Sequence, residues 1–211
     1  MFRDREDAGK QLAMALETYR NKQPLVCAIP RGGVEVGFHV AKGLDAELTI
    51  LVVRKLPLPH NPEAGFGAIA EDGSTFMYEP VARTLKRAMV EDIVEQQKQE
   101  IRRRIEVLRQ GAPPSSIAGR TVLVVDDGIA MGSTVRAAVA MCRQQQAREI
   151  VVAAPVASPS TAEELTEIAD DVVVVEKPLM FRAVAQVYAN WYDVPDDEVV
   201  TILELFARQR T

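Results

Sequence analysis

Histidine and cysteine are nearly absent from this chain of 211 residues: His39, His60, Cys27 and Cys142 are the whole supply. Two histidines are too few for a His-rich metal centre, and a Ser-His-Asp hydrolase would have to rest on one of them. One cysteine falls in an apolar run and the other in an expected helix, so neither a CxxC pair nor a disulfide framework exists, and a reduced, cytoplasmic setting is expected. Long apolar runs are missing as well. No stretch approaches the roughly 18 uninterrupted apolar residues of a membrane span, and the opening MFRDREDAGK has no apolar segment behind it. There is no basic surplus either: 25 Lys and Arg stand against 30 Asp and Glu, a net charge of -5. That balance argues against a nucleic-acid-binding face and for small-molecule partners.

What is present is a hydrophobic share of 47% in a pattern of short apolar runs alternating with helical periodicity. Residues 1–211 are expected to form a single domain, with an insertion over about 56–120. An opening helix is predicted from about Asp4 to Tyr19, capped by Asp4 or Asp7. Leu25 to Ile29 reads as a strand, Pro30-Arg31-Gly32-Gly33 as a tight turn, and Val34 to Leu44 as a helix. Leu48 to Val53 is a second strand, ending in Arg54-Lys55 and a proline-containing loop. Within the insertion, Asp72-Gly73 sets a hairpin between Gly65 and Tyr78, outside the parallel core, and Val81 to Leu108 is a long helix with one apolar stripe. After a Pro/Ser/Gly connector come strands at Thr121 to Val125, Ile150 to Ala154 and Val172 to Val175, separated by helices near 133–146 and 161–169. The fold class is therefore α/β, a parallel central sheet flanked by helices, with a hairpin plus long-helix insertion. Ligands of such sheets collect beyond the carboxyl ends of the strands.

The chemistry concentrates in VLVVDDGIAMGST, Val122 to Thr134. A buried strand delivers Asp126 and Asp127 to the sheet edge, where two adjacent carboxylates need a cation or several hydroxyl donors facing them. Gly128, Ala130, Met131, Gly132, Ser133 and Thr134 then offer small side chains, backbone amides and two hydroxyls at a helix start, which suits a phosphate. The plainer alternative is a helix cap followed by an ordinary turn.

The combination resembles the phosphoribosyl pyrophosphate motif of type I phosphoribosyltransferases, with Asp126, Asp127, Gly132 and Thr134 matching and Met131 standing where the first threonine is usual. The resemblance is nearest to bacterial members whose acceptor is unassigned, which share a Phe2-Arg3-Asp4-Arg5 opening and a PRGG loop. It implies that Arg31, Gly32 and Gly33 form a pyrophosphate loop that often holds a non-prolyl cis peptide. It also implies that Arg54 and Lys55 are the basic pair near the leaving group, with Lys55 the nearer. A mobile loop including His60, Asn61 and Glu63 would close over the substrate, and a C-terminal hood over about 177–197 would bring Phe181, Tyr188 or Trp191 to an acceptor. His39 is read as structural. Arg31, Lys55, Asp126 and Asp127 are the implied catalytic set. Mg²⁺ is implied as a cofactor carried on pyrophosphate, held at most through water by Asp126 and Asp127. A homodimer is implied as well.

Ala130 occupies the position where members acting on hypoxanthine or guanine carry an aspartate, which disfavours a 6-oxopurine acceptor. Two functions follow: transfer of ribose 5-phosphate from phosphoribosyl pyrophosphate to an acceptor, or, with Met131 in its favour, a non-enzymatic sensor of that ligand or of a nucleotide. A receiver domain, suggested by Val122 to Asp127 and Lys177-Pro178, is rejected because too little chain separates Asp126 from Lys177 for the intervening βα units.

Overall fold

The computed structural model describes residues 1–209, apart from the side chains of Pro62 and Glu63. In chain order the elements are α1 (Arg5–Ala15), β1 (Leu25–Ala28), α2 (Gly32–Leu44), β2 (Glu47–Ile50), β3 (Val53–Leu58), β4 (Asn61–Ala70) and β5 (Thr75–Met77). They continue with α3 (Glu79–Ala82), α4 (Arg87–Arg109), β6 (Thr121–Val125), α5 (Ser133–Gln144), β7 (Glu149–Val156), α6 (Pro159–Leu165), β8 (Asp171–Glu176) and α7 (Asp196–Gln209). Five strands form a parallel sheet in the order β2-β1-β6-β7-β8, and β3-β4-β5 form a separate antiparallel sheet.

The central strands are apolar on both faces because both faces are covered. Val26, Leu123, Val125, Val151 and Ala153 point toward Leu12 of α1, Leu16 just after it, and Val36, Val40 and Leu44 of α2. Their alternate neighbours Cys27, Val122, Val124, Ile150 and Val152 point toward α5 and α6, meeting Val135, Val139 and Leu165. This period-two division is what a pleated strand dictates. From β1 the chain crosses through α2 to β2 on one side, and later returns as β6 on the other. The carboxyl ends of β1 and β6 thus flank the point where the strand order reverses, and Ile29 N–H donates to Val125 O there at 2.8 Å.

Two expectations are corrected. Leu48 to Val53 is not one strand: the main-sheet strand stops at Ile50, and the chain turns through buried Leu51 and Val52 into β3. Leu51 N–H still bonds to Ala28 O, whereas Val52 N–H donates to the Glu71 carboxylate at 2.9 Å, so Glu71 ends the pairing. Arg54 and Lys55 therefore lie inside β3 rather than at the end of a parallel strand, and the expected proline loop is the β3–β4 hairpin, with His60 and Asn61 exposed at its turn. The side chain of Glu63, expected in that loop, lies outside the described ones.

The long helix is likewise divided, into α3 and α4. Thr84 Oγ1 donates to Val81 O at 2.7 Å, and the extended Lys86 separates the two pieces. Ile93, Ile101 and Leu108 of α4 pack on Leu56, Phe66 and Ile69 of the hairpin sheet and on Val199 of α7. The exposed side of α4 carries ion pairs such as Arg87–Glu91 and Arg102–Glu95. The apolar stripe is therefore used inside the chain. Among the described residues, no helix is long and apolar enough to cross a membrane.

Candidate functional site

At the reversal point the PRGG turn and the acidic pair are pressed together. A Cβ on Gly33 would lie 2.9 Å from Val125 O and 3.0 Å from Asp126 Cα. Only hydrogen at this position permits the approach, so the glycine is a packing requirement. The Pro30–Arg31 peptide is cis, as the resemblance implied. Asp127 N–H donates to Asp126 Oδ1 at 2.9 Å. Burial, and then the neighbouring Asp127 charge, push the Asp126 carboxyl well above the usual range. Burial raises Asp127 too, but Arg5 opposes it.

Arg5 is the residue that sequence reasoning missed. Its Nε lies 2.8 Å from Asp127 Oδ2, its Nη1 donates to Tyr192 O at 3.0 Å, and its side chain is 3% exposed. An arginine in a charged N-terminal stretch reads as solvated, although Arg5 stands at helical spacing from Ala8, Gly9 and Leu12 and so shares the buried face of α1. It is brought in because the N-terminus is stitched to the hood: Phe2 N–H donates to Val187 O and Ala189 N–H to Phe2 O, at 2.7 and 2.9 Å.

Gly128 to Thr134 curves from β6 into α5. Ile129 N–H is held by Val156 O, and the Thr161 hydroxyl donates to Ala130 O at 2.8 Å, pinning the loop from the α6 side. Gly132 has φ +73°, a left-handed conformation that glycine adopts without cost, and it starts α5 without a side-chain cap. The first helical bond runs from Arg136 N–H to Gly132 O. The amides of Ser133, Thr134 and Val135 precede it and have no intrahelical acceptor. A cleft of about 350 Å³ opens over this loop, lined by Gly128 to Thr134, Lys55, Gly65, Arg182 and Val184. Lys55 and Arg182 add positive charge to its walls.

Strand alternation separates the basic pair. Lys55 faces the cleft, where a Cβ on Gly65 would lie 2.7 Å from its Cγ. Arg54 turns to α4, its Nε donating to Gln97 Oε1 at 3.2 Å, and burial followed by the charge of Arg104 lowers its pKa. Arg31 is not on the cleft wall either: its Nη1 is 3.8 Å from Asp196 Oδ1.

The hood aromatics are divided as well. Tyr188 is 5% exposed, and its hydroxyl donates to Asp127 O at 2.6 Å, so it supports the acidic pair. Trp191 covers Arg5, with the guanidinium carbon 4.0 Å from the ring centroid. Phe181, with Leu179 and Arg182, lies beside Ala130 and Met131. His60 stays at the hairpin turn, and His39 packs edge-on against Phe38 in α2.

The phosphoribosyl transferase domain profile matches residues 5–190. Two Mycobacterium tuberculosis proteins, from strains CDC 1551 and H37Rv and provisionally named phosphoribosyl transferases, are each 42% identical over 206 residues, 97% of this chain. The chain spans about half the length of these curated relatives, 46% of each. The crystal structure of TT1426 from Thermus thermophilus is 38% identical, with a TM-score of 0.82 over 98% of this chain and 99% of that one.

Proposed function

This chain belongs to the phosphoribosyl transferase family, and from that membership we propose that it transfers ribose 5-phosphate from phosphoribosyl pyrophosphate to a small acceptor, releasing pyrophosphate. The observation that carries the reading is the juxtaposition at the sheet reversal: an acidic pair held against the PRGG turn, followed by an uncapped helix start facing Lys55 across a cleft. The 5′-phosphate would accept from the amides of Met131 to Thr134 and from the Ser133 and Thr134 hydroxyls. Asp126 and Asp127 would accept from the ribose hydroxyls, and this remote anchoring fixes the anomeric carbon for attack. The bond from that carbon to the pyrophosphate oxygen breaks as the bond to the acceptor forms. Lys55 counters the charge on the leaving group, and Arg31 joins it by exchanging Asp196 for pyrophosphate.

Mg²⁺ fits as a companion of the pyrophosphate, to which it supplies positive charge. No three His, Cys, Asp or Glu side chains gather around a point among the described residues, so the acidic pair would meet the ion through water. The acceptor is assigned to the hood side beside Phe181 and Ala130, where no carboxylate stands ready for a 6-oxopurine ring proton.

Titration calorimetry with phosphoribosyl pyrophosphate and Mg²⁺ tests the donor site. Binding by the unsubstituted chain, lost in the double variant Asp126→Asn, Asp127→Asn, is expected; no binding, or no loss, refutes the assignment. Pyrophosphate release across a panel of bases then tests transfer, and binding without turnover on any acceptor would favour the sensor.

A further inference from the structure

Arg5 lies outside the motif and the PRGG turn, yet it meets both of them and the hood. Its Nε bonds Asp127 Oδ2 at 2.8 Å, its Nη1 bonds Tyr192 O, and Nη1 also stands 3.9 Å from Glu35 Oε2 of α2. The guanidinium lies over Trp191 at 4.0 Å and Tyr192 at 5.3 Å. A Cβ on Gly32 would come 2.9 Å from the same Nε, so the PRGG turn closes the remaining side. We infer that Arg5 is a positioning residue, which fixes Asp127 toward the ribose of the donor and ties that carboxylate to the hood. The inference rests on the donor-site reading above.

The geometry gives the reason for an arginine. One edge of the guanidinium bonds the carboxylate, another bonds a hood carbonyl, and the flat face stacks on indole; a lysine ammonium offers a point charge without the fork or the face. Oδ2 is engaged by Arg5, so the orientation of the carboxylate follows that of the guanidinium. The Asp127 main chain is held by the same hood, through the Tyr188 hydroxyl on its carbonyl. Arg3 O accepts from Asn190 N–H at 2.8 Å, so the N-terminal segment, Arg5 and the hood form one clamp over the acidic pair.

A purely structural salt bridge makes a different prediction from a positioning contact, and a double-mutant cycle separates them. The probe is phosphoribosyl pyrophosphate with Mg²⁺, read by calorimetry on chains whose folding is verified by circular dichroism. Arg5→Lys is expected to weaken binding about tenfold or more, as expected for a lost charge-assisted hydrogen bond. In the Asp127→Asn background the same change should cost nothing further, because Arg5 acts only through that carboxylate. Trp191→Leu, which leaves the ion pair intact, should show a smaller loss with the same dependence on Asp127. Losses that multiply across the cycle overturn the inference and leave the donor site standing. If Arg5→Lys does not fold, the Trp191→Leu and Asp127→Asn cycle decides by the same criterion. Absence of binding by the unsubstituted chain overturns the donor-site reading and this inference together.

Discussion

A methyl group on Gly32 would lie 1.9 Å from Asp127 Oδ2 and 2.7 Å from its carboxyl carbon. Gly32→Ala therefore cannot be absorbed without displacing the carboxylate or the turn. The same oxygen bonds Arg5, which leaves little room for Asp127 to retreat. The expected result is a stability loss of about 1–3 kcal/mol, as for overpacking elsewhere, together with loss of phosphoribosyl pyrophosphate binding. Urea unfolding and calorimetry measure the two effects. Unchanged affinity would separate the turn from the donor site.

Arg54 and Lys55 are adjacent but face opposite ways, so their substitutions should part company. Lys55→Met removes a cation from the cleft wall and should weaken pyrophosphate-containing ligands by about 1.5–3 kcal/mol, the worth of a hydrogen bond to a charged group. Arg54→Met removes the Gln97 contact on the α4 side and should leave that affinity within about twofold of the unsubstituted chain, because changes remote from the ligand seldom propagate. Equal losses from the two substitutions would place both side chains on the ligand.

Glu100 gives a pH dependence whose sign is fixed. Hydrogen bonds from Arg103, then from Arg104, hold its carboxyl at about 2 against an ordinary 4.5, despite an opposing burial cost. The folded-state value is depressed, so the stabilisation is present above the unfolded value and lost as pH falls toward the folded one. The side chain is 28% exposed and solvent screens the pair, which limits the contribution to about 1 kcal/mol. Glu100→Gln should thus be less stable near pH 6 by about that amount, and the gap should shrink below about pH 4. A gap independent of pH would assign the effect to packing.

Structure is legible in the sequence where burial alone dictates it. Thr121 to Val125 is apolar enough to require cover on both faces, and Asp126 ends it, so strand and acidic pair can both be read. Asp4 caps α1 as its side chain requires, accepting from Asp7 N–H. Legibility ends where distant contacts decide. Leu48 to Val53 carries no mark of the change of sheet, because the group that ends the pairing is Glu71, which in turn is buried against Arg109 of α4. Arg54 and Lys55 look equivalent until a strand alternates them. Arg5 depends on the N-terminal pairing of Phe2 with the hood, a contact with no local signal. α7 is different: Val199, Ile202, Leu203 and Phe206 follow helical spacing, a signal carried by the segment itself.

Met131 stands where the motif that this loop resembles usually has a threonine, and its position makes the difference testable. The residue is 62% exposed, beside the amides that begin α5, and it packs in none of the core clusters among the described residues. A threonine can therefore be introduced at little cost to folding, and its hydroxyl would join those of Ser133 and Thr134 around the 5′-phosphate. Met131→Thr should tighten phosphoribosyl pyrophosphate binding by about tenfold, the lower end of a hydrogen bond to a charged acceptor. If the loop binds the phosphate, ribose 5-phosphate without the pyrophosphate should gain by the same factor, because the added donor touches only the group that the two ligands share. A gain for one ligand and not the other would move the phosphate away from this loop. No gain for either would mean that the Met131 amide, with the Ser133 and Thr134 hydroxyls, already satisfies the anion.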